Sequence, residues 1–248
     1  MRLTRLVSIL TPLDPGAADF LQDTCRSVIG QDLPAGWELE WLVHVDGGTG
    51  PAWLADLDDE RVSVSSHPDR FGPAVSRNLL LARASGEYVK VLDGDDLLPS
   101  GALARDIEAV VAHPEITWVT SRANDLLPDG SCAFVADDQA PGIIEVRAVF
   151  DHWMAHDFRV CVHPATLFAS HHAVAALGGW MALPGSEDTA LLLALNAKHP
   201  GYFVDDLGLI YRKWHKQLTA QPNHRDDALR SLRCEAIRRR VELLLQQS

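Results

Sequence analysis

The sequence predicts an α/β fold in which a mostly parallel central sheet is covered by helices on both faces. Short apolar runs with strand character alternate along the chain with segments whose apolar residues recur at helical spacing. This alternation is typical of parallel sheets with helical crossovers. The 248 residues, 47% of them hydrophobic, are also enough to bury one large core. We therefore expect one α/β domain.

The first half of the chain, to about residue 121, has the strand and helix order of a nucleotide-binding unit. Ser100 is the expected N-cap of its last helix. The predicted strands cover residues 6–10, 39–45, 61–65, 87–92 and 116–120, and the predicted helices cover residues 17–29, 72–84 and 100–111.

The second half, about residues 122–220, begins with a hairpin or irregular excursion at 122–146, where Pro128-Asp129-Gly130 indicates a turn. A helix at 189–197 is apolar all round and should be buried. A last helix, within about residues 225–248, is expected to begin at Asp226 or Asp227.

Composition excludes several classes of protein. A net charge of -12 argues against nucleic acid as a partner, because such proteins need a basic face. The four cysteines lack zinc-type spacing, which favours reduced thiols and a cytoplasmic location. Apolar runs fall short of the roughly 20 residues that span a bilayer, so we expect no integral membrane association. The apolar stretch at the N-terminus runs into Thr11-Pro12 without a small-residue cleavage site, which favours a buried first strand over a signal peptide.

The most informative segment is Asp93-Gly94-Asp95-Asp96, directly after the predicted strand at 87–92. Carboxylates about 4 Å apart repel by about 1 kcal/mol in water and by about 4 at an effective dielectric of 20, so a compensating charge is expected. Gly94 would let the backbone turn. Mg²⁺ or Mn²⁺ bridging to a diphosphate suits such oxygens at the carboxyl end of a parallel sheet. A solvated acidic turn that caps the next helix is the equal alternative.

Asp46 ends another predicted strand, at 39–45, and should lie on the same rim of the sheet as Asp93. Its carboxylate could accept hydrogen bonds from a base or ribose. On local sequence alone, a turn-forming aspartate before two glycines is as good an interpretation.

A longer pattern joins these features. It contains the arginine-asparagine pair Arg77-Asn78 in a helix, the strand start Gly86-Glu87-Tyr88 and the DxD-type motif at 93–96, and it resembles the signature of family 2 glycosyltransferases. The resemblance implies the GT-A fold and transfer of a sugar from a nucleoside diphosphate. The residues that carry it are Val75-Ser76-Arg77-Asn78, Ala82, Ala84-Ser85-Gly86-Glu87-Tyr88-Val89 and Leu92-Asp93-Gly94-Asp95-Asp96, with Ser8-Ile9-Leu10-Thr11-Pro12 similar to the family's first strand.

The resemblance also implies roles at the donor. The nucleoside would be held by Thr11, Pro12, Asp46 and Arg77. Asp93 would approach the ribose and Asp95 would bind the metal, with Asp96 as the rival metal ligand. We group Gly94 and Glu187 with the donor-binding residues. The sequence departs from the family pattern at two places: Leu13-Asp14 replaces an aromatic-asparagine pair, and Gly47 replaces a second aspartate after Asp46. Without the resemblance, Arg77 would be interpreted as a surface ion-pair residue.

Glu187-Asp188 supplies the candidate general base at the start of the predicted buried helix. The family has a Glu-Asp pair here, and its aspartate is the base in inverting members, so the resemblance implies Asp188. The alternative is that Ser186 caps the helix while both acids only favour its dipole.

The segment 211–217 groups basic and aromatic residues, and the resemblance implies that His215 contacts metal or phosphate, although a structural histidine is the commoner case. His163 is a weaker candidate for the acceptor side. The run Arg238–Arg240 is best interpreted as a solvated helix face.

We therefore predict a glycosyltransferase that uses Mn²⁺ or Mg²⁺, with residues 122–220 forming the acceptor side. Inversion of the sugar linkage is the favoured outcome and retention is the alternative, because fold and motifs do not fix the stereochemistry. The acceptor would be a small molecule, a peptide or a glycan. Two alternatives are a nucleotidyltransferase, for which no Gly-rich phosphate loop with a lysine is present, and a non-catalytic protein that binds nucleotide sugars.

Overall fold

A computed structural model describes residues 4–135 and 139–247 of the chain. The strands in these residues are β1 (Arg5–Leu13), β2 (Trp37–Asp46), β3 (Val62–His67), β4 (Tyr88–Val91), β5 (Trp118–Leu126), β6 (Cys132–Phe134), β7 (Gly142–Ile144), β8 (Phe168–Ser170) and β9 (Gly201–Arg212). They form one sheet in the order β3-β2-β1-β4-β8-β5-β9-β7, and β6 pairs with β5.

Helices of very different lengths connect the strands or follow the last of them. They are α1 (Leu21–Ile29), α2 (Ala52–Ala55), α3 (Pro73–Leu81), α4 (Ala102–Ala112), α5 (Ala148–Ala155), α6 (His171–Ala176), α7 (Glu187–Lys198), α8 (Pro222–Arg225) and α9 (Asp227–Gln246). Short 3₁₀ turns occur at Pro15–Ala17, Pro164–Thr166 and Leu218–Ala220. Among the described helices, none combines the length and apolar character needed to cross a bilayer.

The parallel part of the sheet is centred on β1, which pairs with β2 on one side and with β4 on the other. β3 extends it beyond β2. Because these strands are parallel, their carboxyl ends meet at one edge, where α/β folds bind ligands. Pro12, Asp46 and Asp93 are thereby brought to the same rim.

The second half adds β8, which is antiparallel to both β4 and β5, and then a long parallel ladder between β5 and β9. The longer ladders are parallel, so the prediction of a mostly parallel sheet is confirmed.

Helices cover both faces of the sheet. Successive strand residues point to opposite faces, and Ile9 packs in a cluster with Leu21 of α1, whereas Leu10 packs in another cluster with Leu80 of α3. The predicted all-round apolar helix is also confirmed: α7 is fully buried from Ala190 to Leu195.

Several predicted boundaries were wrong; the helix predicted at 17–29, for example, begins at Leu21. β1 continues through Pro12, which lies beyond the ladder with β4 that ends at Leu10, so only one strand neighbours the proline. Ser100 does not cap α4; Gly101 precedes that helix in a left-handed conformation without a side-chain cap. β5 runs past residue 121 to Leu126, because pairing with β9 and β6 holds polar residues in the strand.

Candidate functional site

A cleft of about 600 Å³ opens at the carboxyl edge of β1, β2 and β4. Its opposite wall is formed by the beginning of α7, the turn at 163–165 and the segment that follows β9. Most of the predicted site residues line it, namely Pro12, Asp46, Arg77, Asp93, Gly94, Asp95, Glu187 and Asp188. Thr11, Asp96 and His215 are not among the described residues that line it.

Arg77 joins the two halves of this cleft. Its guanidinium, in a residue only 1% exposed, donates to Glu187 Oε1 at 2.7 Å and to Asp93 Oδ1 at 2.6 Å. Its Nη2 also lies 3.2 Å from Asp188 Oδ2. The sequence alone favoured a surface ion pair for Arg77, but the guanidinium is buried among three carboxylates. It therefore fixes the candidate base relative to the acidic loop after β4.

Asn78, the next residue of α3, supports the same arrangement from the other side. Its amide donates to the Trp180 carbonyl at 2.9 Å and accepts from the Trp180 backbone N–H at 2.9 Å. This two-way contact places the indole so that Trp180 Nε1 donates to Asp188 Oδ1 at 2.9 Å. The arginine-asparagine pair thus positions Asp188 both directly and through Trp180.

Asp188 lies in the first turn of α7. The residue before this helix, Ser186, has a left-handed conformation (φ 63°), and its side chain makes no capping hydrogen bond. The alternative in which Ser186 caps the helix is therefore not seen. Burial raises the pKa of the Asp188 carboxyl to about 7, against the opposing effect of Arg77, and the Glu187 and Asp93 carboxylates also raise this pKa. A carboxylate with a pKa near neutrality suits a general base.

The acidic loop after β4 is held by hydrogen bonds to its main-chain carbonyls. The Thr24 hydroxyl donates to the carbonyls of Gly94 at 3.0 Å and Asp96 at 2.8 Å. The loop also approaches β1 closely at Gly94: a Cβ there would lie 2.7 Å from Leu13 Cδ1, so any larger residue would force the buried Leu13 side chain to move. The loop is thus packed against β1 and α1, so its outward-facing carboxylates are fixed in place.

Within this loop, Asp96 points inward. It is 1% exposed, and its Oδ1 accepts from the Arg212 backbone N–H at 2.8 Å. Burial raises its pKa well above the usual range, and the neighbouring Asp95 and Asp93 carboxylates act in the same direction. The contact ties the acidic loop to the end of β9.

The Asp96→Ala variant should lose about 1–3 kcal/mol in the free energy of unfolding, because the partly buried Arg212 N–H is left without its acceptor. Urea denaturation measures the loss. Asp96→Asn is the matched control, since its amide oxygen can still accept from Arg212 while the charge repulsion is removed, and it should stay close to the wild type. Equal stability of the Ala variant would contradict this role.

Asp95 faces the cleft instead. Its Oδ2 accepts from Trp214 Nε1 at 2.5 Å, and its backbone carbonyl accepts from Arg212 Nε at 2.8 Å. Burial raises the pKa of Asp95 to about 6, and the Asp93 carboxylate adds to the effect. Among the described residues, Asp95 has no cationic side chain within ion-pair distance. A cation in the cleft would stabilise its ionised form.

The donor set determines whether a divalent metal would fit. Among residues 4–135 and 139–247, no group of three or more His, Cys, Asp or Glu side chains is arranged to hold a metal ion. Mg²⁺, however, commonly uses one or two carboxylates and takes its other ligands from substrate phosphates and water. Asp95, with Asp93 beside it in the same cleft, fits that case. The described residues do not fit a metal site whose ligands all come from protein side chains.

Asp46 anchors the loop between β3 and α3, part of which lines the cleft. Its two oxygens accept from the backbone N–H groups of Phe71 at 2.8 Å and Gly72 at 2.9 Å. Beside it, Arg70 pairs with Asp14, and both residues line the cleft. Asp46 therefore fixes the backbone that leads into α3 and its Arg77.

Thr11 and His215 occupy other positions. Thr11 is buried behind the rim, where its hydroxyl accepts from Trp41 Nε1 at 2.8 Å. His215 is exposed in the turn after β9, with its ring 6.1 Å from that of Trp214. The donor roles of both residues stay predictions.

Trp180 and the Trp214 contact were missed by sequence reasoning. Trp180 lies after two glycines, with nothing local to connect it to Asp188. Trp214 stands in the basic and aromatic segment that drew attention to His215, yet it is the tryptophan that reaches Asp95.

Comparison with known proteins identifies the family to which part of this cleft belongs. Residues 16–127 match the family described as glycosyl transferase family 2. These residues belong to glycosyl transferase family 2. The family 2 region contains Arg77 and the whole acidic loop, whereas Glu187 and Asp188 lie beyond it. The resemblance stated from the motifs is therefore confirmed.

Two relatives are informative. TuaG of Bacillus subtilis, named as a glycosyltransferase of teichuronic acid biosynthesis, is 36% identical over 105 residues, which is 42% of this chain and 41% of TuaG. The O-antigen biosynthesis protein RfbC of Myxococcus xanthus is 28% identical over 162 residues, 62% of this chain and 12% of RfbC. The chain thus spans less than half the length of these relatives.

Solved structures extend the likeness beyond the family 2 region. S. aureus TarS 1-349 in complex with UDP-GlcNAc has a TM-score of 0.70 at 16% identity, covering 88% of this chain and 61% of TarS 1-349. The UDP complex of TarS 1-349 has a TM-score of 0.67 at 16% identity, with 84% and 61% covered. At this identity the likeness concerns the fold, and the GT-A prediction is confirmed.

Proposed function

We propose that this chain is a glycosyltransferase that moves a sugar from a nucleoside diphosphate to an acceptor hydroxyl with inversion. The carrying observation is the buried Arg77, which binds Asp93 of the family 2 region and the Glu187-Asp188 pair of the second half. Asp93, a carboxylate predicted to bind the sugar donor, and Asp188, the candidate base, are thereby held at fixed positions in one cleft. The UDP and UDP-GlcNAc complexes of TarS support a nucleotide-sugar donor.

In the proposed reaction, the Asp188 carboxylate accepts the proton of the acceptor hydroxyl. The hydroxyl oxygen forms a bond to the anomeric carbon from the face opposite the diphosphate. The bond from that carbon to the diphosphate oxygen breaks, and its electron pair leaves with the nucleoside diphosphate. Trp180 orients Asp188 through its indole N–H, so the base needs little reorganisation.

Mg²⁺ or Mn²⁺ would be held by Asp95 with Asp93 beside it, and when bound it would neutralise charge on the departing diphosphate. Asp96 is the less suitable ligand, because it is buried and its Oδ1 is bonded to Arg212. Among the basic residues, Lys213 and Lys216 also line the cleft and would lie near phosphate oxygens.

The acceptor we propose is a hydroxyl of a small molecule, a peptide or a glycan. We also propose a cytoplasmic location, in which the four free cysteines would stay reduced.

A thermal-shift screen of UDP, GDP, TDP and CDP, with their sugar derivatives, tests the proposal. One nucleotide series should raise the melting temperature, with a larger effect when Mn²⁺ is present. Ligand at 100 times its dissociation constant stabilises by about 2.7 kcal/mol, which is easily detected. If no nucleotide shifts the melting temperature with or without metal, the proposal is wrong.

The rate should also depend on pH. Asp188 must be ionised to accept a proton, and its pKa is raised to about 7. We therefore expect kcat/KM to fall as the pH decreases below about 7, approaching a tenfold loss per unit, and to level off above it. Steady-state rates from pH 5 to 9 measure the profile. A rate that stays constant down to pH 5 would exclude Asp188 as a base of raised pKa.

A further inference from the structure

The wall of the cleft formed by the second half contains an imidazole for which the proposed mechanism has no use. His163 lines the cleft beside Pro164 and Ala165, and its Nδ1 is buried without a hydrogen-bond partner among the described residues. A buried polar atom without a partner costs about 1–3 kcal/mol. Folding alone therefore gives little reason for a histidine at this position.

The backbone that carries His163 is fixed from beneath. His163 precedes the 3₁₀ turn Pro164–Thr166, and the Thr166 hydroxyl donates to the His163 carbonyl at 2.7 Å. The Thr166 carbonyl in turn accepts from the buried Lys90 ammonium at 2.7 Å, which is paired with Asp106 at the same distance. The ring is therefore presented to the cleft by a rigid support.

Tyr211 packs against the ring from the side. The two ring centroids are 5.1 Å apart and tilted by 55°. The Tyr211 hydroxyl is engaged by Gln217, whose amide donates to it at 3.1 Å. The hydroxyl also lies 3.4 Å from Thr219 Oγ1, so Tyr211 presents mainly an apolar surface to the cleft, and His163 adds a polar ring beside it.

The imidazole is neutral at physiological pH. Burial lowers the pKa of His163 to about 4, and the Lys213 ammonium acts in the same direction. A neutral imidazole has one nitrogen that donates and one that accepts. A group of this kind suits a hydroxyl, which can also both donate and accept, better than it suits an anionic phosphate.

The position of the ring relative to the acidic loop indicates which hydroxyl it would meet. Asp93 lines the same cleft as His163. Asp93 is also paired with Arg77, which holds the candidate base. The ring thus lies in the same cleft as Asp93 and Asp188, and the transferred sugar must lie in this cleft between the diphosphate and the base.

We propose that His163 is a specificity-determining residue that hydrogen-bonds a hydroxyl of the sugar being transferred, with Tyr211 packed beside it as the apolar part of the same subsite. This inference rests on the proposed function. It assigns His163 to the sugar and not to the nucleoside, the diphosphate or the metal.

Isothermal titration of His163→Ala with a nucleoside diphosphate and with its sugar derivative tests the assignment. Each pair is a nucleoside diphosphate and its sugar derivative, such as UDP and UDP-GlcNAc. The pair used is the one, among those of UDP, GDP, TDP and CDP, that binds the wild-type protein most tightly. We expect the variant to bind the nucleoside diphosphate as wild type does and the sugar nucleotide about tenfold more weakly, equivalent to about 1.4 kcal/mol. A site that hydrogen-bonds a substrate hydroxyl discriminates in this way.

Two further variants separate binding from folding. His163→Gln or His163→Asn should recover part of the lost affinity, because an amide can donate and accept near the position of one ring nitrogen. His113→Ala is the matched control, since His113 pairs with Glu115 outside the cleft, and it should bind both ligands normally.

The outcomes distinguish this inference from the proposed function. If wild type binds neither ligand, the proposed function fails and the assignment fails with it. If wild type binds both but His163→Ala weakens both equally, or weakens neither, the proposed function stands and the sugar subsite at His163 is wrong.

Discussion

Replacing Asp188 with asparagine should lower kcat by about 10²–10⁴-fold while leaving the affinity for the donor nearly unchanged. This is the range that general-base catalysis contributes, and the amide cannot accept the proton. The asparagine oxygen can still accept from Trp180 Nε1, so the side chain should keep its position. Steady-state kinetics give kcat, and titration with the donor gives its affinity.

The control for Asp188→Asn is Asp151→Asn. Asp151 is an exposed carboxylate of α5 that pairs with Arg147 four residues earlier, and it does not line the cleft. Its replacement should leave kcat as it is. Turnover by Asp188→Asn at the wild-type rate would assign the base to another group.

Replacing Arg77 with methionine should lower the free energy of unfolding by about 3–5 kcal/mol, the typical cost of removing one partner from a buried ionic cluster. Asp93, Glu187 and Asp188 all lose their shared cation in this variant. Activity should be lost as well, because the acidic loop and the base are no longer held together. Chemical denaturation with urea measures the change in stability.

Arg77→Lys should recover only part of the loss, since an ammonium cannot present the planar fork that reaches several carboxylates. Arg26→Met is the matched control: Arg26 pairs with Asp23 on the surface of α1, and its removal should change stability little. If Arg77→Met were as stable as Arg26→Met, the central position of Arg77 in the site would be wrong.

The fold was predictable because its strongest signals are local. Leu39 to Val45 and Glu87 to Leu92 are apolar strands that end at acidic residues, and the helix at α7 is apolar on every side. Boundaries failed where tertiary pairing overrides local preference. β1 passes through Pro12, and β5 includes Ser121 and Arg122, because neighbouring strands hold these residues in place.

The site was predictable in part, and for a different reason. Asp46 and Asp93 could be placed on one rim because parallel strands end at one edge. The contact between Arg77 and Glu187 spans 110 positions of the chain, and no local pattern measures such a distance. Nor does local sequence show that Asp96 points inward while Asp95 faces the cleft, because the direction depends on the packing of Arg212 and Trp214 around them.

The cleft in which Arg77 holds Asp93 and Asp188 together should cleave a sugar nucleotide and not merely bind one. The protein is incubated with Mn²⁺, each sugar nucleotide of the screen and a mixture of hydroxyl-bearing small molecules, peptides and glycans as acceptors, and release of the nucleoside diphosphate is followed. We predict that one donor is cleaved faster than in buffer and that Asp188→Asn abolishes the difference. A donor that binds tightly but is never cleaved, by wild type or variant, would contradict the claim and favour a non-catalytic binding protein.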